Sequence, residues 1–281
     1  MLIIKIIKLL NIISTIPALG ISQVIQPISI VEYNTNLGNH AKLEISIDSS
    51  EIKMGQNVVV TAKFTPPSGK EYKDFILLPF VERKRWGAHE FPDSDGLATF
   101  MLPLPNIGYA DIEIIALKRD NLGFQGLNDI TLLRTGVPMP NTKIISNKLE
   151  VKVTRRDFPK PRPKKSIFAM QWEPWFIPGW SWARAHAVPL FGFYDSTNPN
   201  VLRQQILWMI EMGVNSIVVD WSNHIWGAKH WTDRGDGADQ IIHVTQIFLE
   251  TMADMRDEGL QVPLISLMPG LSNGPPATIE A

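Results

Sequence analysis

From Ala41 to Thr154 apolar and polar residues alternate with period two. The runs KLEISI, NVVVTAKF, DFILLPFV, LATFML, YADIEIIAL and KLEVKV are short and rich in β-branched residues. Turn chemistry separates them, in MGQ, PPSGK, PDSDG and PNIG. Period two places alternate side chains on opposite faces of a strand. Six such strands in about 115 residues predict an antiparallel, immunoglobulin-like β-sandwich over residues 41–154. Two aromatic loop positions, Trp86 and Phe91, are weighed as sugar contacts, against a plainer role in packing on the following domain.

After Ser166 the grammar changes. SIFAMQ is a short apolar strand, and Asn198-Pro199 opens a helix with an amide cap and proline in its first turn. Val201, Leu202, Ile206, Met209 and Ile210 recur at helical spacing until Gly213. NSIVVD is a second strand. A second helix follows, with Ile241, Ile242, Thr245, Phe248, Leu249 and Met252 on one face and Gly259 as its stop; VPLISLM is a third strand. Strands apolar on both faces, alternating with helices, predict βαβ units and a parallel sheet. Between the two halves, RRDFPKPRPKKS carries six basic residues and three prolines. Residues 155–165 therefore read as a stiff, solvated linker, with the α/β part over 166–281.

The amino terminus adds an export expectation. Lys5 and Lys8 precede an apolar body, and small residues follow at Ala18, Gly20 and Ser22. That layout matches a signal peptide over residues 1–22, with an extended segment over 23–40. The mature chain is expected to be secreted or at the cell surface, with no membrane partner after cleavage.

Composition narrows the chemistry. With 27 basic and 28 acidic residues, net charge is −1, so no global field favours nucleic acid. There is no cysteine, which excludes disulfides, iron–sulfur clusters and thiolate zinc sites. His224, His230, Asp233 and Asp236 match no helix-borne ligand pair, so neither metal nor cofactor is expected. Gly235-Asp236-Gly237 lacks the Lys-Ser/Thr of a phosphate loop, and no G-x-S-x-G elbow is present.

Function in parallel sheets collects at the carboxyl ends of the strands. Here those ends read QWEPWFIPGWSW and DWSNHIW, and eight of nine tryptophans lie between Trp172 and Trp231. Indole faces stack on sugar rings, and carboxylates and amides bind hydroxyls, so a carbohydrate cleft is expected. Its candidate residues are Trp172, Glu173, Trp175, Tyr194, Asp195, Asp220, Trp221, Asn223 and His224. Glu173 and Asp220 end neighbouring strands, about 4.8 Å apart, and form the candidate catalytic pair.

FGFYDSTNPNVLRQQILWMIEMGVNSIVVDWSNH resembles the opening of the barrel in glycoside hydrolase family 99-like proteins. The matching residues are Gly192, Tyr194, Asp195, Ser196, Gln205, Ile206, Met209, Gly213, Asp220 and Trp221. The likeness covers residues 167–269. Where that family has a tyrosine-rich "Y-P-W-Y" strand end, this chain reads QWEPWF, keeping Pro174 and Trp175. The resemblance implies a (β/α)8 TIM-type barrel acting on α-mannan or a related glycan. A complete barrel takes about 250 residues, and Ser166 to Ala281 supplies 116. The resemblance thus implies a fragment with only the first three βα units. The family's catalytic carboxylates sit on later strands, so Glu173, Asp220, Trp221 and Asn223 are expected to bind sugar. A non-catalytic carbohydrate-binding or cell-surface protein, and a barrel associated with glycosyl transfer, are the alternatives.

Overall fold

The computed structural model describes residues 41–119, 143–159, 167–174, 176, 182, 187–221 and 236–269. The expected signal peptide and the segment over 23–40 lie outside the described residues.

Nine strands form the first half among the described residues. β1 (Lys42–Ile47), β3 (Asn57–Thr65) and β6 (Leu97–Pro103) make one antiparallel sheet in the order β1-β3-β6. The second sheet runs β2 (Glu51–Lys53), β9 (Leu149–Thr154), β7 (Gly108–Lys118), β4 (Phe75–Val81) and β5 (Lys84–Arg85). β8 (Lys143–Ile145) also pairs with β7. Alternation decides which side chains meet. Val58, Val60, Ala62 and Phe64 of β3 are buried, as are Ile112, Ile114 and Ala116 of β7. Phe64 and Phe75 touch across the two sheets, ring centroids 4.9 Å apart. β4 departs from period two because it is buried on both faces: Phe75 and Leu77 join the main core, while Ile76, Leu78 and Phe80 pack with Ile115 and Leu117 in a second cluster.

The edge of β1 is closed by a side chain. Asn147 Oδ1 accepts from the Ile45 amide at 2.8 Å, and its Nδ2 donates to the Ile45 carbonyl at 3.2 Å. The carboxamide does what a neighbouring strand would do, and so blunts the edge against intermolecular pairing.

In the second half β10 (Ala169–Trp172), β11 (Ser216–Trp221) and β12 (Leu264–Pro269) form a parallel sheet in that order. Helix α1 (Pro199–Glu211) lies between β10 and β11 in the chain, and α2 (Asp236–Asp257) between β11 and β12. Asn198 caps α1, its side chain accepting from the Asn200 amide at 3.0 Å. Both helices end where the chain turns left-handed at glycine, φ +75° at Gly213 and +84° at Gly259. Amides just beyond then reach back: Val214 to the Met209 carbonyl and Leu260 to the Met255 carbonyl.

The expected fold class requires correction. A sandwich followed by the first units of a TIM-type barrel does not describe this molecule: the described residues are 41% strand against 21% helix. Two α-helices are present among the described residues. The parallel sheet is an open, three-stranded layer in which β10 and β12 each have one described partner. Closure into a barrel requires every strand to be paired on both sides. Strand–helix alternation predicted local elements correctly placed in the chain; it carried no information on closure.

Many contacts join the halves. Buried residues of both belong to one apolar cluster. The Gln204 side chain donates to the Gly55 carbonyl at 2.9 Å, and Ala88 donates to the Leu190 carbonyl at 3.0 Å. Arg203, on α1, donates to the Pro105 carbonyl at 3.0 Å and pairs with Glu258 through both terminal nitrogens. The segment read as a solvated linker is anchored at its start. Arg155 donates to the Glu258 carbonyl just past the end of α2, and Arg156 pairs with Glu211 at the end of α1. Each is a cation at the negative end of a helix. Residues 160–166 of that segment lie outside the described residues.

Candidate functional site

The parallel register pairs Trp172 with Val219, which sets Glu173 level with Asp220 at the carboxyl rim of the sheet. Period two then sorts the strands into two faces. Trp172, Ile217 and Val219 are buried in the cluster that includes Val244 and Phe248 of α2. Alternate positions point the other way, and Gln171, Leu264, Ser266 and Met268 are exposed there.

Gln171 organises the rim. Its Nε2 donates to Glu173 Oε1 at 2.8 Å and to Asp220 Oδ2 at 3.3 Å. One amide nitrogen therefore sits between two carboxylates, whose oxygens can be no more than about 6 Å apart. Asp220 is 8% exposed and Glu173 is half-buried. Gln171 was not among the residues singled out from the sequence. Its signal was available: period two from Trp172 and Glu173 places residue 171 on the same face as both acids.

The aromatic candidates have other positions. Trp172 is buried and stacks on Phe248, centroids 4.2 Å apart and planes within 16°. Its indole N–H donates to Gln205 Oε1 at 2.9 Å. Trp221 is half-buried, and its N–H donates to Thr245 Oγ1 on α2 at 2.9 Å. Both indoles therefore serve the sheet–helix contact and not the open face. Trp182 is buried and donates to the Tyr194 carbonyl at 2.8 Å. Trp86 is buried too, against Phe191, and donates to the Pro103 carbonyl.

The Y-D-S segment shapes the start of α1. Tyr194 packs among Phe176, Trp182 and Phe191. Burial pushes its hydroxyl above the ordinary phenol range, and a hydrogen bond with Gln205 acts against that shift. Asp195 Oδ1 accepts from the Thr197 amide at 2.8 Å and from its hydroxyl at 2.7 Å, an Asx turn leading into the Asn198 cap. Trp175, Asn223 and His224 lie outside the described residues. The structure thus brings together Glu173 and Asp220, adds Gln171, and leaves Trp172, Trp221, Tyr194 and Asp195 in packing or capping positions.

Chemically the rim offers acceptor oxygens beside an amide, which suits hydroxyl-bearing ligands. No group of three or more His, Asp or Glu that could hold a metal occurs among the described residues. No helix among them is long and apolar enough to cross a membrane.

Neither a family model nor a curated protein matches the chain. Among solved structures it is similar to the CARDB domain of a Pyrococcus furiosus protein in complex with di-metal ions. The identity is 14% over 48% of this chain and all of that one, with a TM-score of 0.25. CopC from Methylosinus trichosporium OB3b gives 15% identity over 42% of this chain and 97% of that one, TM-score 0.24. The human F-spondin reeler domain gives 10% identity over 48% of this chain and all of that one, TM-score 0.24.

Proposed function

We propose that this protein recognises carbohydrate, and that Glu173, Gln171 and Asp220 receive sugar hydroxyls at the open rim of the parallel sheet. The observation that carries the reading is the single amide nitrogen held between two carboxylates. Adjacent hydroxyls of a pyranose each donate and accept, and such a cluster offers carboxylate acceptors with an amide beside them. Two acids close together also disfavour anionic ligands, so the substrate class is neutral glycan. The signal-like amino terminus supports action at the cell surface or outside the cell.

The pair itself supports a second reading, hydrolysis of a glycosidic bond in α-mannan or a related glycan, with Glu173 and Asp220 in place of the later-strand acids that the family 99-like resemblance implies. The observation favouring it is the same separation: oxygens within about 6 Å are compatible with the ~5–5.5 Å spacing of carboxyl groups in retaining glycosidases. In that reading one carboxyl protonates the leaving oxygen while the other attacks the anomeric carbon. α-Mannan depolymerisation and mannotetraose affinity, measured on the full chain and on Glu173→Gln and Asp220→Asn, separate the two. Recognition alone predicts weaker affinity in both variants with no depolymerisation. Hydrolysis predicts turnover lost at saturating substrate while affinity holds. A wild-type chain that neither binds nor cleaves any neutral glycan overturns both.

A further inference from the structure

A cavity that shares no lining residue with the rim lies where the strand half meets the start of α1. It has a volume of about 100 Å³, and its walls include Glu82, Lys84, Asn106, Tyr109, Asn198 and Asn200. One water needs ~10–15 Å³, so this space exceeds a packing defect that a single solvent molecule would fill. It suits one ring-sized group, with the rest of a ligand in solvent.

Its surface chemistry is specific. Tyr109 is 66% exposed and Ile107 51%, so an aromatic ring and an aliphatic side chain are left uncovered beside the cavity. Asn106 Nδ2 donates to Asn200 Oδ1 at 2.9 Å, joining the β6–β7 turn to α1. That bond leaves Asn106 Oδ1 and Asn200 Nδ2 without another partner among the described residues, one acceptor and one donor at the same place. One wall is the β4–β5 hairpin, in which Glu82 and Arg83 adopt φ of +51° and +62°. A two-residue turn with both centres left-handed normally takes Asn or Gly, because larger residues are strained there. Glu82 Oε1 accepts from the Asp111 amide at 2.7 Å, which holds that wall against β7. Glu82 and Lys84 supply one charge of each sign, so the cavity has no net preference for an ion.

We infer that this pocket is a second sugar subsite, in which one neutral pyranose stacks on Tyr109 and hydrogen-bonds Asn106 and Asn200. The inference rests on the carbohydrate reading above but not on the rim cluster. An exposed aromatic face beside amides is the chemistry that recognises a neutral sugar; an anion would need a surplus of positive charge.

The test is titration of the full, isotope-labelled chain with α-1,6-mannotetraose, cellotetraose and xylotetraose, following the side-chain amide signals of Asn106 and Asn200. The expected result is saturable shifts with at least one of the three. Tyr109→Ala should weaken the binding read at the Asn106 and Asn200 amides tenfold or more, and Tyr109→Phe should retain it. Tyr109 is exposed, so its replacement leaves the fold intact, which the backbone amide spectrum verifies. Sugar binding lost in Asp220→Asn but untouched by Tyr109→Ala would overturn the pocket and keep the rim. Absence of binding to all three sugars would overturn both.

Discussion

Arg203 and Glu258 form an ion pair whose two members are unequally placed, and that inequality predicts an asymmetric response to mutation. The Arg203 side chain is 9% exposed and that of Glu258 43%. Besides Glu258, the guanidinium donates to the Pro105 carbonyl and approaches Met54 Sδ at 3.6 Å. Replacing Glu258 by alanine strands a buried cation, for which removal of one partner costs ~3–5 kcal/mol. The surviving Pro105 bond keeps the value near the lower end, at about 3 kcal/mol. Replacing Arg203 by methionine frees an acid that water already reaches. The loss is then the two bonds to Glu258, whose oxygens water can take over, and the one to the Pro105 carbonyl, about 1.5 kcal/mol net with the apolar stem retained. The double variant should match Arg203→Met, because Glu258 has nothing left to neutralise. Urea unfolding of the four proteins, compared at equal m-value, measures all three differences. Equal losses from the two single variants, or a larger loss from Arg203→Met, would refute the argument that desolvation of the guanidinium sets the cost.

Three further outcomes follow from named contacts. Trp172→Ala should cost ~3–5 kcal/mol, as for other buried large aromatics, whereas Trp172→Phe keeps the stack on Phe248 and should cost less; thermal unfolding reads both. Asn147→Ala should cost about 1–2 kcal/mol through its two bonds to Ile45 and should raise aggregation by opening the β1 edge, seen by light scattering. The phenol of Tyr194 is raised by burial, so the unfolded chain loses that proton first as pH rises from about 10. Stability contributed by this group is complete below that pH and is lost as pH climbs through the folded value. Ultraviolet titration should show one late phenol that disappears in Tyr194→Phe.

The sequence spoke clearly about local elements and poorly about faces. Period two and the turn signals between runs located β1, β3, β4, β6, β7 and β9; one side of β1, β3, β6 and β9 meets a core and the other does not, whereas β4 and the end of β7 are buried on both faces. It missed β2, β5 and β8, which are two or three residues long and too short to show alternation. Helices α1 and α2 were legible through Asn198, Pro199, Gly213 and Gly259, where cap chemistry is strictly local. The tryptophans misled for a physical reason. An indole can stack on a sugar or on a phenylalanine, and its composition does not say which; Trp172 sits one residue from Gln171, and a strand turns that single step into the opposite face. Glu173 and Asp220 were placed correctly at the rim because parallel register follows from strand ends. Arg155 and Arg156 looked like solvent-facing charge, since the helix ends they neutralise are more than fifty residues away in the chain.

The most direct test of the carbohydrate reading is calorimetric titration of the full chain with α-1,6-mannotetraose, alongside Gln171→Ala. This substitution removes the exposed amide between the two acids and no buried group, so it perturbs the rim and little else. The account predicts measurable binding to the wild-type chain and a loss of about tenfold in affinity, ~1.4 kcal/mol, for the variant. Binding of equal strength in both proteins would contradict the assignment of the rim as the sugar site.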